Sequence, residues 1–204
     1  VPVDPGERLR VGALASQGDF AAHLRVLDEL GAEGVEVRTP GDLEGLDALV
    51  IPGGESTTIT KAIDRDGLEP AIRSHFESGR PILGTCAGMI VCDRDHLGLI
   101  DALARRNAFG RQLQSFEADL EFEPASGVGP EPVRAAFIRA PWIESYGESV
   151  EVLARWDDHP VAIREGNVLV CSFHPELTGD SRVHAILMAM ATAARERVAE
   201  EAGR

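Results

Sequence analysis

Pro81-Ile82-Leu83-Gly84-Thr85-Cys86-Ala87-Gly88 is the stretch that decides how this 204-residue chain is read. An apolar run ends in a tight turn, and the chain then restarts as a helix. Glycine stands two positions before the cysteine and two after it. That is the G-x-nucleophile-x-G spacing of a strand-to-helix elbow, with sulfur in place of a serine oxygen. Such a bend lifts the side chain over the end of a sheet and aims the first free helix N–H groups at whatever the sulfur attacks. The helix N-terminus also favours a thiolate. A buried cysteine in a glycine-rich turn fits the same residues, so the pentapeptide alone leaves both readings open.

Upstream of the elbow, Leu9–Ala15 reads as a buried strand and Gly18–Leu30 as a helix closed by Gly31. Gly34–Thr39 and Asp47–Pro52 read as second and third strands. Helical spacing runs on to about Ser78 with a break at Asp66-Gly67, and Pro81–Leu83 is the fourth strand. Alternating strands and helices predict a parallel sheet wrapped by helices. Downstream the rhythm changes. Gln114–Glu123, Val133–Ile138, Val150–Trp156, Pro160–Arg164 and Val168–Phe173 read as short strands between Gly, Pro and Asp turns, which predicts antiparallel or mixed pairing added to the core. A last amphipathic helix spans about Ser181 to Glu200. With no repeat or low-complexity linker, we expect a single domain over residues 1–204, disordered at 1–8 and about 200–204.

Composition narrows the function classes. A net charge of −14 argues against nucleic-acid and anionic-membrane partners. No apolar stretch is long enough to span a bilayer, and no basic-then-apolar leader is visible. Three cysteines without paired spacing fit a reducing cytoplasm better than a disulfide framework, and no Cys/His spacing suggests a metal.

Two further segments have complementary chemistry. His174-Pro175-Glu176 comes just after the strand ending at Cys171. A thiol nucleophile needs a base, and the base needs an orienting acceptor. In an extended segment His174 and Glu176 project to one side, so the carboxylate can hold one ring nitrogen while the other faces sulfur. An incidental His and Glu on a surface loop is the plain alternative. Pro52-Gly53-Gly54-Glu55-Ser56 lies beyond the third strand, where open α/β sheets collect ligands. Its paired glycines let a backbone N–H approach closely, as an oxyanion donor must. A phosphate loop is disfavoured because no Gly-Lys pair comes after it. A plain glycine turn capped by Ser56 or Thr57 is the structural alternative, and it is compatible with the oxyanion role.

The remaining histidines, His23, His75, His96, His159 and His184, have no matching acid–thiol context. His23 and His75 fall on predicted helices, where an exposed or capping role is expected. Cys92 reads as a helix or loop thiol and Cys171 as a core residue, and Trp142 and Trp156 as packing residues.

Together these segments resemble the class I, triad-type glutamine amidotransferases, and within them the glutaminase subunits of pyridoxal phosphate synthases. The matching residues are Gln17–Asp19, Pro52–Thr57, Gly84–Gly88, His96–Leu99, Arg106-Asn107 with Phe109–Gln112, Ser115–Ala118, Phe137–Pro141 and Phe173–Thr178. The resemblance implies a three-layer, flavodoxin-like fold: a mostly parallel sheet, helices on both faces and a small antiparallel addition. It implies Cys86 as nucleophile, His174 as general base and acid, and Glu176 as its orienter. It further implies an oxyanion hole from the N–H groups of Gly54 and Ala87, and L-glutamine held by Gly54, Glu55, Ser56, Arg106, Ile138 and Arg139. No metal or cofactor is implied for the amide hydrolysis. The implied partner is a (β/α)8-barrel synthase subunit in a large hetero-oligomer, with activity that is weak until the partner docks. Two departures stand out. Met89–Asp95 is shorter than the corresponding family segment, and Ser16 replaces a large apolar residue. A glutaminase serving another synthase and a non-catalytic relative are the rival readings.

Overall fold

Strand segments that are apolar at nearly every position belong in a sheet covered on both faces, and that is where the folding places them. The computed structural model describes residues 8–108 and 115–202. Its strands are β1 (Arg10–Leu14), β2 (Glu33–Val37), β3 (Ala48–Ile51), β4 (Ile82–Thr85), β5 (Ala102–Arg105), β6 (Ser115–Leu120), β7 (Val133–Ile138), β8 (Trp142–Tyr146), β9 (Glu151–Trp156), β10 (His159–Glu165) and β11 (Val168–Cys171). Its α-helices are α1 (Phe20–Glu29), α2 (Ser56–Arg65), α3 (Glu69–Glu77), α4 (Ala87–Cys92) and α5 (Arg182–Ala202).

The main sheet has the order β2-β1-β3-β4-β11-β10-β9. The first five strands pair in parallel, and β10 and β9 extend the sheet antiparallel. The parallel part has the flavodoxin-like arrangement, with ligands expected beyond the carboxyl ends of the strands. Two small antiparallel ribbons, β5-β8 and β6-β7, complete the fold. The mostly parallel sheet with an antiparallel addition is therefore as expected.

Side-chain alternation sorts the core into two layers. Val11, Ala13, Ala48, Val50, Leu169 and Cys171 face α1, α5 and the β6-β7 ribbon. Leu14, Leu49, Ile51, Val168 and Val170 face α2, α3, α4 and the β5-β8 ribbon. Each fully buried Leu or Ile contributes about 1.5–3 kcal/mol.

Strands β5 and β8 were not expected from the sequence. Ala102-Leu-Ala-Arg105 is made of good helix formers, and only pairing with β8 makes it extended. The C-terminal helix reaches Ala202, so residues 200–202 are helical rather than disordered, and Arg8 is tied to Gly31 and Ala32 carbonyls at 2.9 and 2.6 Å. The expected disorder at 1–7 and 203–204, the start of a strand at Gln114 and the Phe109–Gln112 match lie outside the described residues.

The abbreviated Met89–Asp95 segment leaves α4 only six residues long. Buried Asp93 closes it. Its carboxylate accepts from Asp95 N (3.0 Å), Ala104 N (3.2 Å) and His96 Nδ1 (2.7 Å), so the short helix joins β5 without orphaned donors. At the other departure, Ser16 Oγ is buried with no hydrogen-bond partner among the described residues.

Candidate active site

Between β4 and α4, Cys86 has φ 48° and ψ −107°, a conformation that costs a non-glycine residue about 1–3 kcal/mol. Two contacts explain the flanking glycines. A Cβ on Gly88 would lie 2.0 Å from the Ile51 carbonyl oxygen, and one on Gly84 would lie 2.7 Å from the Gly88 oxygen. Only glycine lets α4 sit this close to β3 and β4. The Cys86 N–H donates to Cys171 O at 2.8 Å, fastening the elbow to β11. The Cys86 side chain reaches the Ile138 carbonyl at 3.8 Å.

β11 brings the second segment to the same edge. His174 N donates to Ala136 O at 2.8 Å, and its Nδ1 donates to Glu176 Oε1 at 2.7 Å. The contact is the expected one, but its backbone is not extended: Pro175–Leu177 is a 3₁₀ turn, which the fixed φ of Pro175 in first position favours. A Cβ on Gly53 would lie 2.4 Å from His174 Cε1 and 3.2 Å from Cys86 Cβ, so the imidazole ring and the Cys86 side chain flank the same glycine.

Electrostatics favour an ion pair. Burial opposes protonation of His174, but its side-chain hydrogen bonds with Cys86 and Glu176 outweigh this and raise its pKa to about 10. Burial pushes Glu176 up, yet the His174 hydrogen bond and the neighbouring imidazoles hold it below the usual carboxylate range. The other two thiols are fully buried, and burial raises both well above the ordinary cysteine value.

A cavity of about 360 Å³ opens over the sulfur. Cys86, Ala87, His174, Gly54, Glu55, Ser56, Arg106, Ile138 and Arg139 all line it, and Glu176 stands behind His174. Every residue expected at the site is thus brought to one place. Gly54 has φ +145°, and Arg139 lies just beyond β7 with φ 46°, not within a strand. The Glu55 carboxylate is occupied. It caps α2, accepting from Thr57 N at 3.2 Å and Thr58 N at 2.8 Å, which corrects the expected Ser56 or Thr57 cap. Arg106 extends from the β5 end and donates to Thr57 Oγ1 at 3.1 Å, leaving an exposed guanidinium at the cavity rim.

Some lining residues were not anticipated. Gln17, Ile90, Asn107 and Pro141 also line the wall, and Gln17 Oε1 accepts from Glu55 N at 3.3 Å. Gln17, Asn107 and Pro141 all sit inside matched segments, which was the available signal. His23 and His75 are buried, not exposed, and His75 Nε2 lies 3.4 Å from Pro81 O. His23 lies directly behind Glu176. Among the described residues no group of His, Cys, Asp or Glu is arranged to hold a metal ion, and no helix is long and apolar enough to cross a membrane.

The profile of the SNO glutamine amidotransferase family matches residues 13–193. The chain is 48% identical over 204 aligned residues to the pyridoxal 5'-phosphate synthase subunit PdxT of Nocardia farcinica, covering 93% of this chain and 89% of that protein. It is 50% identical to the PdxT of Parafrankia sp., covering 88% and 91%. A crystal structure of a glutamine amidotransferase superposes with a TM-score of 0.83 at 47% identity, covering 89% of this chain and 98% of that one.

Proposed function

The chain belongs to the SNO glutamine amidotransferase family, and from that premise we propose that it hydrolyses L-glutamine through a cysteine thioester and hands the ammonia to a synthase subunit that builds pyridoxal 5'-phosphate. The observation that carries this reading is the meeting of Cys86 and His174 on one cavity, with Glu176 hydrogen-bonded behind the ring.

Glutamine enters with its side-chain amide over the sulfur. Its α-carboxylate meets Arg106 or Arg139, whose guanidinium groups are the ones on the cavity wall among the described residues. The Cys86 thiolate forms a bond to the amide carbon, and the carbonyl electron pair moves onto oxygen. The N–H groups of Gly54 and Ala87 receive that oxyanion, and such a donor is worth about 3–4 kcal/mol in the transition state. His174 gives its Nε2 proton to the nitrogen, the C–N bond breaks, and ammonia leaves a glutamyl thioester. A water then loses its proton to His174 and attacks the thioester, releasing glutamate and regenerating the thiolate. Glu176 keeps Nδ1 protonated throughout, so Nε2 is the nitrogen that exchanges protons.

Ammonia set free in bulk water protonates and ceases to be a nucleophile, which is the physical reason to couple the site to a synthase. That partner is a (β/α)8 barrel docked over the cavity mouth in a hetero-oligomer, and the reaction takes place in the cytoplasm. The test is ammonia release from glutamine, measured for wild type and Cys86→Ala with the synthase subunit added. Release from wild type that rises with the partner is expected; equal release from both proteins refutes the triad.

A further inference from the structure

Behind the triad lies a second pair of imidazoles that the proposed reaction does not use. His23, on α1, and His184, on α5, are both completely buried. His23 Nδ1 lies 2.9 Å from His184 Nε2. His23 Nε2 lies 3.3 Å from Thr85 Oγ1 and 3.4 Å from Glu176 Oε2. Thr85 is the residue before the nucleophile. Oε2 is the carboxylate oxygen that His174 leaves free, and it has no hydrogen bond among the described residues. His23 therefore touches both halves of the catalytic machinery from the protein interior.

The hydrogen-bond inventory selects one arrangement of protons. The 2.9 Å contact between the rings holds one proton. If His23 Nδ1 donated it, neutral His184 would carry its own proton on Nδ1, which is buried and has no partner among the described residues. His23 would then turn a bare nitrogen lone pair toward the Glu176 carboxylate. Both consequences are unfavourable. If His184 Nε2 donates instead, its Nδ1 is merely an unfilled acceptor. His23 Nε2 then carries a proton aimed between Glu176 Oε2 and Thr85 Oγ1. Burial holds both rings neutral, with His184 depressed to about 3.

The geometry points to His23 as a positioning residue for the Cys86–His174–Glu176 triad, held by His184 in the tautomer whose Nε2 proton faces the second oxygen of Glu176. This rests on the glutaminase reading. The carboxylate is then gripped at both ends, by His174 Nδ1 on Oε1 and by His23 Nε2 on Oε2. Its plane is set without a second buried cation competing with His174. Contacts of this kind are long in the resting protein and shorten when charge develops on the base.

The variants His23→Leu and His23→Gln test this, the glutamine side-chain N–H standing where Nε2–H was. With the synthase subunit present, His23→Leu is expected to lower kcat by about 10- to 100-fold while KM for glutamine changes less than about threefold. Loss of a donor raises the Glu176 pKa, so the acidic limb of the kcat/KM profile moves to higher pH. The charged or titratable groups facing this cluster are Glu176, His174, Asp19, His184, Cys171 and Cys86. His23→Gln is expected to recover most of the rate and return the limb. Equal loss in both variants, or an unmoved limb in His23→Leu, overturns the proposal.

Two readouts do not require turnover. Alkylation of Cys86 by iodoacetamide against pH reports the thiolate–imidazolium pair even in a protein that does not hydrolyse glutamine, and so separates failure of this inference from failure of the glutaminase reading. Imidazole ¹⁵N spectra of the wild-type chain need no variant to fold. They are expected to show His23 and His184 neutral and protonated on Nε2; a proton on His23 Nδ1 overturns the inference.

Discussion

Gly53→Ala inserts one methyl group between the Cys86 side chain and the His174 ring. Gly53 is buried, and its φ is outside the positive region, so alanine is compatible with the backbone and the effect is purely steric. The new Cβ would lie 2.4 Å from His174 Cε1 and 3.1 Å from Nδ1, where ordinary contact begins at 3.4 Å. The ring cannot swing away freely, because Nδ1 is bound to Glu176 at 2.7 Å and the residue's own N–H to Ala136 O at 2.8 Å. It must therefore retreat by about 1 Å, and a misplacement of that size costs roughly 100-fold in rate, or about 2.7 kcal/mol of barrier. Ammonia release at saturating glutamine, with the synthase subunit added, should show kcat lowered about 100-fold and KM changed less than about threefold. Thermal unfolding should show only the overpacking cost of about 1–3 kcal/mol. Gly12→Ala is the control. Its Cβ meets Leu46 Cδ1 at 2.4 Å and Val37 Cγ2 at 2.7 Å, away from the cavity, so it should lower stability and leave kcat alone. Wild-type kcat in Gly53→Ala would refute the idea that backbone contact sets the position of the base.

Native alkylation at neutral pH should modify Cys86 alone, because Cys92 and Cys171 are fully buried and held as thiols; peptide mass spectrometry detecting either of them labelled in the folded chain would contradict this. Acid should destabilise the fold early. Burial depresses His75 to about 4, so between its unfolded value of 6.5 and 4 the unfolded chain binds the extra proton, and stability falls with pH by roughly 2 kcal/mol at pH 5 from this residue alone. His184 acts in the same direction, whereas the raised pKa of His174 gives stability that is complete below 6.5 and lost as pH climbs toward 10. Urea midpoints that do not fall between pH 7 and 5 would count against these buried neutral rings. Gly88→Ala should be more damaging than Gly53→Ala, since its Cβ would sit 2.0 Å from a β3 carbonyl that cannot move aside; a loss of more than about 3 kcal/mol or failure to fold is expected, and a wild-type melting temperature would disprove the close α4–β3 approach.

Much of the site was legible in the chain because its parts are local patterns. The elbow is spelled by Gly84, Cys86 and Gly88 within five residues, and the imidazole–carboxylate pair by His174 and Glu176 within three. Parallel strands read as continuous apolar runs, so β1, β3, β4 and β11 were visible, with Cys86 and His174 at the carboxyl ends of two of them. Strands β5 and β8 were not visible, because Ala102–Arg105 has helix-forming composition and only its pairing with β8 makes it a strand.

The order of the main elements, the elbow at Cys86 and the pairing of His174 with Glu176 were determined by the sequence alone, since backbone sterics and short-range hydrogen bonds act between near neighbours. Burial is different, because it depends on which surfaces come together. His23 lies on the apolar face of α1, three residues after Phe20 and four before Leu27, but that spacing does not say which groups meet it there. Its neighbours Thr85, Glu176 and His184 lie 62 to 161 positions away, and only the packing of α1 and α5 against the same face of the sheet brings them together. The tertiary structure likewise decided that the Glu55 carboxylate is spent on capping α2, because a side chain that reads as a ligand in the chain binds whichever backbone donors the fold puts within its reach.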